Sequence, residues 1–267
     1  EYLSVSMFPN IVLSGLCIDP SLGRVDKSTL PQETLIDLFM SGITNKDVIH
    51  GEFLDDYRKW SSLEFNANGD IIEIEWSYED LEGTVNLEWL PSTLIEISLN
   101  DNHLEGSICL TALPEKMILL DLQTNRFSGE VDFSNLPGTL TEVDLSENQL
   151  SGSVDLTRLP KSLRNFYLNE NCFSGDVDLT SLPPTLRTLD IATNRFTGRI
   201  NLTKLPHNLN SLYLEDNDFC GYADFSKLPK SLRNLDVSKN KNLSGELKGS
   251  IGGSAVTGTQ VYYVSVI

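Results

Sequence analysis

The chain has 267 residues, of which 40% are hydrophobic, and its formal net charge is −18. A field this negative argues against nucleic acid and anionic membranes as partners, because both are bound through positive surfaces. It favours basic or cationic partners instead. The sequence contains no run of about 18 apolar residues, so we expect no direct membrane insertion.

The N-terminal region has no repeat, and we interpret residues 1–66 as a cap with two helices. Residues 1–29 show no clear period, and residues 1–20 are expected to be the start of a processed chain rather than an intact signal peptide. A helical pattern begins at Leu30 and has a plausible stop at Gly42. A second pattern, with apolar residues near helical spacing, predicts a helix over Lys46–Trp60.

Residues 67–247 contain about eight repeats of 23 residues. The clearest copies read Leu-Pro-x-x-Leu-x-x-Leu-x-Leu-x-x-Asn-x-Phe-Ser-Gly-x-Val-Asp-Leu-Thr-x, and the first copy is degenerate, with Glu79 in the asparagine column. A fixed period in this range is the signature of a solenoid, in which each repeat packs on its neighbours. The Leu-Pro pairs begin at Leu90, Leu113, Leu136, Leu159, Leu182, Leu205 and Leu228.

Two stretches of each repeat alternate apolar and polar residues, as strands do. In the Leu-x-x-Leu-x-Leu stretch of one copy, Phe166 points inward and Asn165 and Tyr167 point outward, which predicts a parallel sheet across the repeats. The Val-Asp-Leu stretch, such as Val177 to Leu179, predicts a second, smaller sheet at the back. Residues 248–267 are β-rich after a glycine-rich start, and we predict a C-terminal cap strand there.

The asparagine column is expected to be structural. A side-chain amide can replace the hydrogen bonds that the backbone loses where it turns inward after the strand. We therefore predict an asparagine ladder at Asn102, Asn125, Asn148, Asn171, Asn194, Asn217 and Asn240.

These repeats resemble those of the leucine-rich repeat superfamily, and LxxLxLxxNxFSGxV is most similar to the plant-type subclass. The variant with Val-Asp after the glycine also looks like repeats of kinetoplastid and other protist proteins. The resemblance implies a mostly β, α/β solenoid that binds proteins or peptides. The implied solenoid is a right-handed curved superhelix with a parallel concave sheet, a helical N-terminal cap and a β C-terminal cap. Phe65 stands where plant-type caps have a cysteine, so we expect no cap disulfide.

The sequence offers no chemistry of a kind that enzymes use. It has three histidines in different columns and no nucleophile, phosphate-loop or zinc motif, so we expect no enzyme, no catalytic residue and no cofactor. One column of the repeat is mostly aspartate: Asp132, Asp155, Asp178, Asn201 and Asp224. These side chains could project into water or could bind Ca²⁺ between repeats. We prefer the first interpretation and predict no metal.

The outward positions of the predicted concave sheet vary, whereas the scaffold columns stay fixed. We predict a partner-binding patch centred on Tyr167 and Tyr213, because tyrosine supplies a large contact area and aspartate pairs with basic residues. The expected partner is a protein or peptide with a basic or polar surface; the alternatives are an ordinary polar face and a structural scaffold subunit of a larger surface or intracellular assembly. The predicted contact residues are Glu75, Asp121, Asp144, Tyr167, Asp190, Tyr213 and Asp236.

Signals for the cellular compartment conflict. Asn201 and Asn242 begin Asn-x-Ser/Thr glycosylation triplets and favour an extracellular or cell-surface protein. Cys109, Cys172 and Cys220 lie in different columns of non-adjacent repeats, so we expect free thiols, which favour a cytoplasmic protein. Cys17 has no predicted place, and the sequence leaves the oligomeric state open.

Overall fold

The computed structural model describes residues 26–52, 56–248 and 252–264, which form a solenoid. The helices are α1 (Gln32–Phe39) and α2 (Asp47–His50), and 3₁₀ turns span Lys27–Thr29, Tyr57–Lys59, Leu87–Trp89, Leu156–Arg158 and Leu179–Ser181. The strands in chain order are β1 (Gly42–Ile43), β2 (Leu63–Phe65), β3 (Ile71–Glu75), β4 (Glu82–Thr84), β5 (Glu96–Ser98), β6 (His103–Gly106), β7 (Leu119–Asp121), β8 (Arg126–Glu130), β9 (Glu142–Asp144), β10 (Gln149–Gly152), β11 (Asn165–Tyr167), β12 (Cys172–Asp176), β13 (Thr188–Asp190), β14 (Arg195–Thr197), β15 (Ser211–Tyr213), β16 (Cys220–Ala223), β17 (Asn234–Asp236), β18 (Asn242–Lys248), β19 (Gly253–Ala255) and β20 (Gln260–Val264).

Each repeat contributes one strand to each of two sides of the solenoid. The concave sheet has ten strands in the order β19-β17-β15-β13-β11-β9-β7-β5-β3-β2. The back side has seven strands in the order β1-β4-β6-β8-β10-β12-β14, followed by three in the order β16-β18-β20. Neighbouring repeats pair in parallel on both sides. The predicted parallel solenoid is therefore confirmed.

The space between the two sides is filled by apolar columns that run along the solenoid. Phe173, Phe196 and Phe219 are fully buried and stack with ring centroids 6.3 Å apart from one repeat to the next. Aromatic burial of this size is among the largest contributions that one side chain makes to a core. The leucines of the concave strands, such as Leu189 and Leu212, are equally buried against them.

The asparagine side chains connect successive repeats. Asn171 Nδ2 donates to the carbonyl oxygens of Leu145, Leu168 and Asn169 at 2.9–3.2 Å, and its Oδ1 accepts from the Leu150 N–H at 2.9 Å. The residue just before it, Glu170, has a φ of +56°. This left-handed turn breaks the backbone ladder, and the amide supplies the missing partners.

The N-terminal cap closes the first edge of both sides. β2 pairs antiparallel with β3, and β1 pairs antiparallel with β4, so neither first repeat strand is left as an open edge. From α1, Phe39 stacks on Trp76 at 5.9 Å between ring centroids. Gln32 accepts from the Ile71 N–H at 2.6 Å. The cap is thus bonded to the first repeat through backbone, amide and aromatic contacts.

The predicted second helix is much shorter than expected. α2 ends at His50, where Gly51 adopts a φ of +51° and its N–H bonds to the Asp47 carbonyl. A left-handed glycine at this position is a common helix stop. Residues 53–55 lie outside the described residues, and the chain then forms the 3₁₀ turn Tyr57–Lys59. The prediction of one helix over Lys46–Trp60 is therefore wrong.

The back strands also lie earlier in the repeat than predicted. β12 spans Cys172–Asp176, so the Phe-Ser-Gly segment forms the strand. Val177 and Leu179 are buried, as expected, but the chain there enters a 3₁₀ turn. Asp178 Oδ1 accepts the Thr180 N–H at 2.8 Å and so replaces a strand partner. The prediction of a Val-Asp-Leu strand is wrong for this reason.

The C-terminal region adds strands to both sides, where one strand was predicted. β19 pairs with β17 on the concave sheet, and β20 pairs with β18 at the back. Val261 is buried, whereas Tyr262 and Tyr263 are exposed. Residues 1–25, 249–251 and 265–267 lie outside the described residues. Among the helices of the described segments, none has the length and apolar character needed to cross a bilayer.

Candidate functional site

The predicted contact residues occupy one row across the concave sheet. Tyr167 lies directly between Asp144 and Asp190 in the register of the parallel strands, and Tyr213 lies directly between Asp190 and Asp236. Neighbouring strands are spaced by roughly 4.8 Å, so the side chains lie within reach of one extended ligand. The acid-tyrosine row consists of Glu75, Ser98, Asp121, Asp144, Tyr167, Asp190, Tyr213 and Asp236.

Burial makes two aspartates of this row unusually weak acids. It raises the pKa of Asp144 to about 6, against hydrogen bonds from Ser146 that lower it. It also raises the pKa of Asp190 to about 6, against the backbone N–H of Ala192. The nearby acids of the same row add to both shifts. Loss of water around a carboxylate disfavours its charged form, and no Lys, Arg or His of the described residues is among the causes of either shift.

Glu215 is a half-buried acid of this face that the sequence interpretation did not single out. It follows β15 in the next outward column, beside the row. Burial, together with Asp236 and Asp190, raises its pKa to about 7. Its Oε2 is buried and has no hydrogen-bond partner among the described residues. The available signal was that Glu215 is the only acid in a column of small or polar residues.

The two tyrosines are half-buried in the sheet surface. The pKa of the Tyr167 hydroxyl is raised, first by burial and then by the negative charge of Glu142, Asp144 and Asp190. A hydrogen bond with Thr188 acts in the opposite direction. A half-buried tyrosine offers a partner both aromatic surface and a polar hydroxyl group.

The aspartate column that follows the back strands forms hydrogen bonds within its own turns. Asp155 and Asp178 accept the N–H groups of Thr157 and Thr180 and begin 3₁₀ turns. These hydrogen bonds hold the pKa of each aspartate below its ordinary value. Within the described part of the chain, no group of three His, Cys, Asp or Glu side chains could hold a metal ion. The same contact to residue i+2 is made by Asn86, Asp132, Asp155, Asp178, Asn201 and Asp224.

The remaining candidate residues lie on other surfaces. Asn201 is exposed, and its Oδ1 accepts from both the N–H and the hydroxyl of Thr203. Asn242 is exposed at the start of β18. Cys172 and Cys220 carry free thiols, and Cys109 Sγ lies 3.1 Å from the Thr111 hydroxyl oxygen. Cys17 lies outside the described residues.

No protein-family model matches the chain, and no curated protein matches it. Solved structures do match. A pollen receptor kinase 3 is 27% identical, with a TM-score of 0.53 over 71% of this chain and 96% of its own. The Arabidopsis receptor kinase HAESA is 24% identical, with a TM-score of 0.61 over 82% of this chain and 38% of its own. A plant ice-binding protein is 21% identical, with a TM-score of 0.55 over 81% and 80%.

The parallel 23-residue turns and the plant receptor ectodomains among the structural neighbours decide the fold. The chain has the leucine-rich repeat fold of the plant type. In this leucine-rich repeat protein, the acid-tyrosine row lies on the concave sheet, and the asparagine and phenylalanine columns form the scaffold beneath it.

Proposed function

We propose that this leucine-rich repeat protein is a non-enzymatic protein-binding module for recognition or adhesion, and that its concave face binds a basic or polar segment. The observation that carries the proposal is the unbroken row Asp144, Tyr167, Asp190, Tyr213 and Asp236 on adjacent strands. Tyrosines flanked by acids offer a rigid contact area beside carboxylates that pair with arginine or lysine.

The raised pKa values support a cationic ligand. Asp144 and Asp190 have pKa values of about 6, because burial opposes their charge more than their hydrogen bonds favour it. A guanidinium or ammonium group placed between them would favour the charged forms and lower both pKa values. Binding would then release protons near pH 6, and affinity would fall as the pH is lowered through that value.

The similar solved structures support a protein or peptide partner and an extracellular location. HAESA was solved in complex with the peptide hormone IDA and the co-receptor SERK1. By analogy, we assign recognition to residues 67–247, with residues 1–66 and 248–267 as caps. Extracellular or cell-surface exposure would permit glycans on Asn201 and Asn242, since both side chains are exposed. Mass spectrometry of the natural protein for glycans at Asn201 tests this compartment.

The binding test uses labelled peptides with arginine or lysine at every second position, alongside uncharged counterparts. Tyr167→Ala/Asp190→Ala should lower the affinity for the basic peptides by at least about tenfold, because both side chains belong to the row. The matched control is Tyr222→Ala/Asp176→Ala, a pair of exposed residues on the back strands. Equal affinity of both variants and wild type would refute the proposal, provided that both melt normally.

A second candidate is a structural subunit of a larger surface or intracellular assembly. It is favoured by β20, whose only sheet partner within the described residues is β18 and which carries exposed Tyr262 and Tyr263. Such an edge can accept another strand. A subunit would copurify at a fixed ratio and would keep that ratio in Tyr167→Ala/Asp190→Ala. A recognition module would lose its partner in the same variant.

A further inference from the structure

A second charged surface runs along the turns that carry the Leu-Pro pairs, which we call the Leu-Pro edge. Three columns flank each pair: the residue before the leucine, the residue after the proline and the residue four after the proline. In the last four repeats, nine of these twelve positions are basic side chains, and all nine are exposed. They are Arg158, Lys161, Arg164, Arg187, Lys204, His207, Lys227, Lys230 and Arg233.

The first three Leu-Pro turns lack this feature. The same columns there hold no basic residue and one acid, Glu115, although Lys116 lies beside it. The wider chain follows the same division. Residues 1–133 contain 7 Lys and Arg against 24 Asp and Glu, whereas residues 134–267 contain 13 against 14. The net charge of −18 is therefore carried almost entirely by the first half of the chain, and the basic edge lies in the nearly neutral second half.

The basic side chains of neighbouring repeats are held close together by the backbone. The Arg187 N–H donates to the Arg164 carbonyl at 2.7 Å, and the Arg233 N–H donates to the Asn210 carbonyl at the same distance. Residues 164, 187, 210 and 233 therefore follow one another at the spacing of adjacent strands, roughly 4.8 Å. A partner lying along the solenoid would meet a basic group at nearly every step.

Acidic neighbours offset part of this charge. Arg158 Nε lies 3.6 Å from Asp155 Oδ2, with both side chains more than half exposed. Lys204 and Lys227 lie close enough to Asp178 and Asp224 to lower the pKa of those aspartates. These three aspartates already bond to the turns that they begin. The eight Lys and Arg residues of the edge therefore exceed them by five, a local excess of the opposite sign to the whole chain.

Two shallow grooves with basic rims lie between these repeats; the larger has a partly apolar floor, whereas the exposed lining of the smaller is mostly polar. One of about 570 Å³ is lined by Leu205, Leu228 and Pro229, with Lys204, His207, Lys227 and Lys230 around them. The next, of about 310 Å³, is lined by Phe225, Leu228, Leu232, Lys230, Arg233 and Lys248 among others. An apolar side chain can contact the floor of the larger groove while carboxylates meet the rim.

We propose that the Leu-Pro edge of the last four repeats is a second binding surface, and that it takes an acidic peptide segment with an apolar residue between its carboxylates. The partly apolar floor of the larger groove favours a peptide over a sulfated polysaccharide, which has no apolar side chain to bury. The negative field of the first half disfavours long polyanions such as nucleic acid, whereas a short segment is screened from it beyond about 8 Å at physiological salt. Four repeats span roughly 14 Å, the length of about four or five extended residues.

The test is binding of a labelled peptide of about eight residues that alternates Asp-Glu pairs with leucine. Wild type should bind it, and affinity should fall at least about tenfold between 50 and 200 mM salt, as contacts between exposed charges do. Lys204→Glu/Lys227→Glu/Lys230→Glu should lower the affinity at least about tenfold. A Lys→Gln set at the same positions should show a smaller loss, and circular dichroism should show unchanged folding in both, because all three lysines are exposed.

The matched control is Arg126→Glu/Arg195→Glu/Arg199→Glu, which makes the same change of net charge at exposed positions on the back side. It should bind like wild type. An equal loss in this control would show a general charge effect and overturn the proposal. The proposal would also be overturned if a peptide with Asn-Gln in place of Asp-Glu bound equally well, or if a heparin-type glycan bound in place of the peptide. Failure of the concave-face variants would leave this result unaffected, since the two surfaces use different residues and opposite charges.

Discussion

The concave sheet and the 3₁₀ turns each carry a column of aspartates, and the two columns behave in opposite ways. Asp190 on the concave sheet is largely buried, and its pKa is raised to about 6. Asp178, in the 3₁₀ turn that precedes the strand of Asp190, is exposed and accepts two hydrogen bonds from Thr180, and its pKa is lowered. The same residue type thus stabilises the fold in one column and opposes it in the other.

This difference separates scaffold from candidate surface. An aspartate that caps a turn is satisfied by its own chain and has little to offer a ligand. An aspartate that is buried among other acids, as Asp144 is beside Asp121, gains from any cation that arrives. Asp144 and Asp190 accept hydrogen bonds from Ser146 and Ala192, but no cation is among the causes of their pKa shifts. Unfavourable burial of a carboxylate without a charged partner is typical of a binding site before its ligand is bound. Four predictions test this contrast. The first gives the loss in the free energy of unfolding that we expect when a scaffold side chain is removed.

Asn171→Ala should destabilise the fold most, by about 2–3 kcal/mol, because it removes the partners of three carbonyls and one N–H. Urea unfolding followed by circular dichroism measures this. The control Asn169→Ala changes an outward position two residues earlier and should stay within about 0.5 kcal/mol of wild type. Similar losses in both variants would contradict the scaffold assignment.

Stability should rise as the pH falls from 7.5 to 5. Asp144 and Asp190 have folded-state pKa values of about 6, above their unfolded values, so the folded state binds more protons. Their contribution is complete below about pH 4 and is lost as the pH rises through 6. We expect a gain of about 1–2 kcal/mol in urea unfolding at pH 5, reduced from the full value by solvent screening. Below about pH 4 the capping aspartates, whose pKa values are lowered, become protonated and stability should fall again.

Asp178→Ala should lower stability by about 1 kcal/mol at pH 7.5, since it removes the cap of a turn. Asp178→Asn should keep most of the stability, because Asn201 makes the same hydrogen bond one repeat later. Thermal melting of the two variants side by side provides the measurement. A loss in the asparagine variant as large as in the alanine variant would show that the charge, not the cap, is what matters.

Asp190→Asn should have the smallest effect and the opposite sign, a gain of up to about 0.5–1 kcal/mol at pH 7.5. The amide oxygen can still accept the Ala192 N–H, and the buried charge is gone. The gain should vanish at pH 5, where the aspartate is already protonated. Destabilisation at pH 7.5 would mean that Asp190 belongs with the scaffold aspartates.

Much of the fold could be predicted from the 23-residue period. The period requires Tyr167 and Tyr213 to share a column, and the alternation places them on the outer face of the concave sheet, as the structure shows. The similarity to protist repeats stays a prediction. Local contacts overrode periodicity at two places: Gly51 ended α2 early, and Asp178 turned a predicted strand into a 3₁₀ turn.

The sequence by itself determined the columns: which residues recur, which vary, and where basic residues replace neutral ones along the Leu-Pro edge. Only the tertiary structure decided what each column experiences. Burial and hydrogen bonding depend on the neighbouring repeats, so they assign opposite pKa shifts to Asp178 and Asp190 and leave Glu215 Oε2 without a hydrogen-bond partner among the described residues. The free energy of burying a carboxylate depends on the atoms that surround it in space. The repeat pattern gives the order of residues along the chain and does not specify those surroundings.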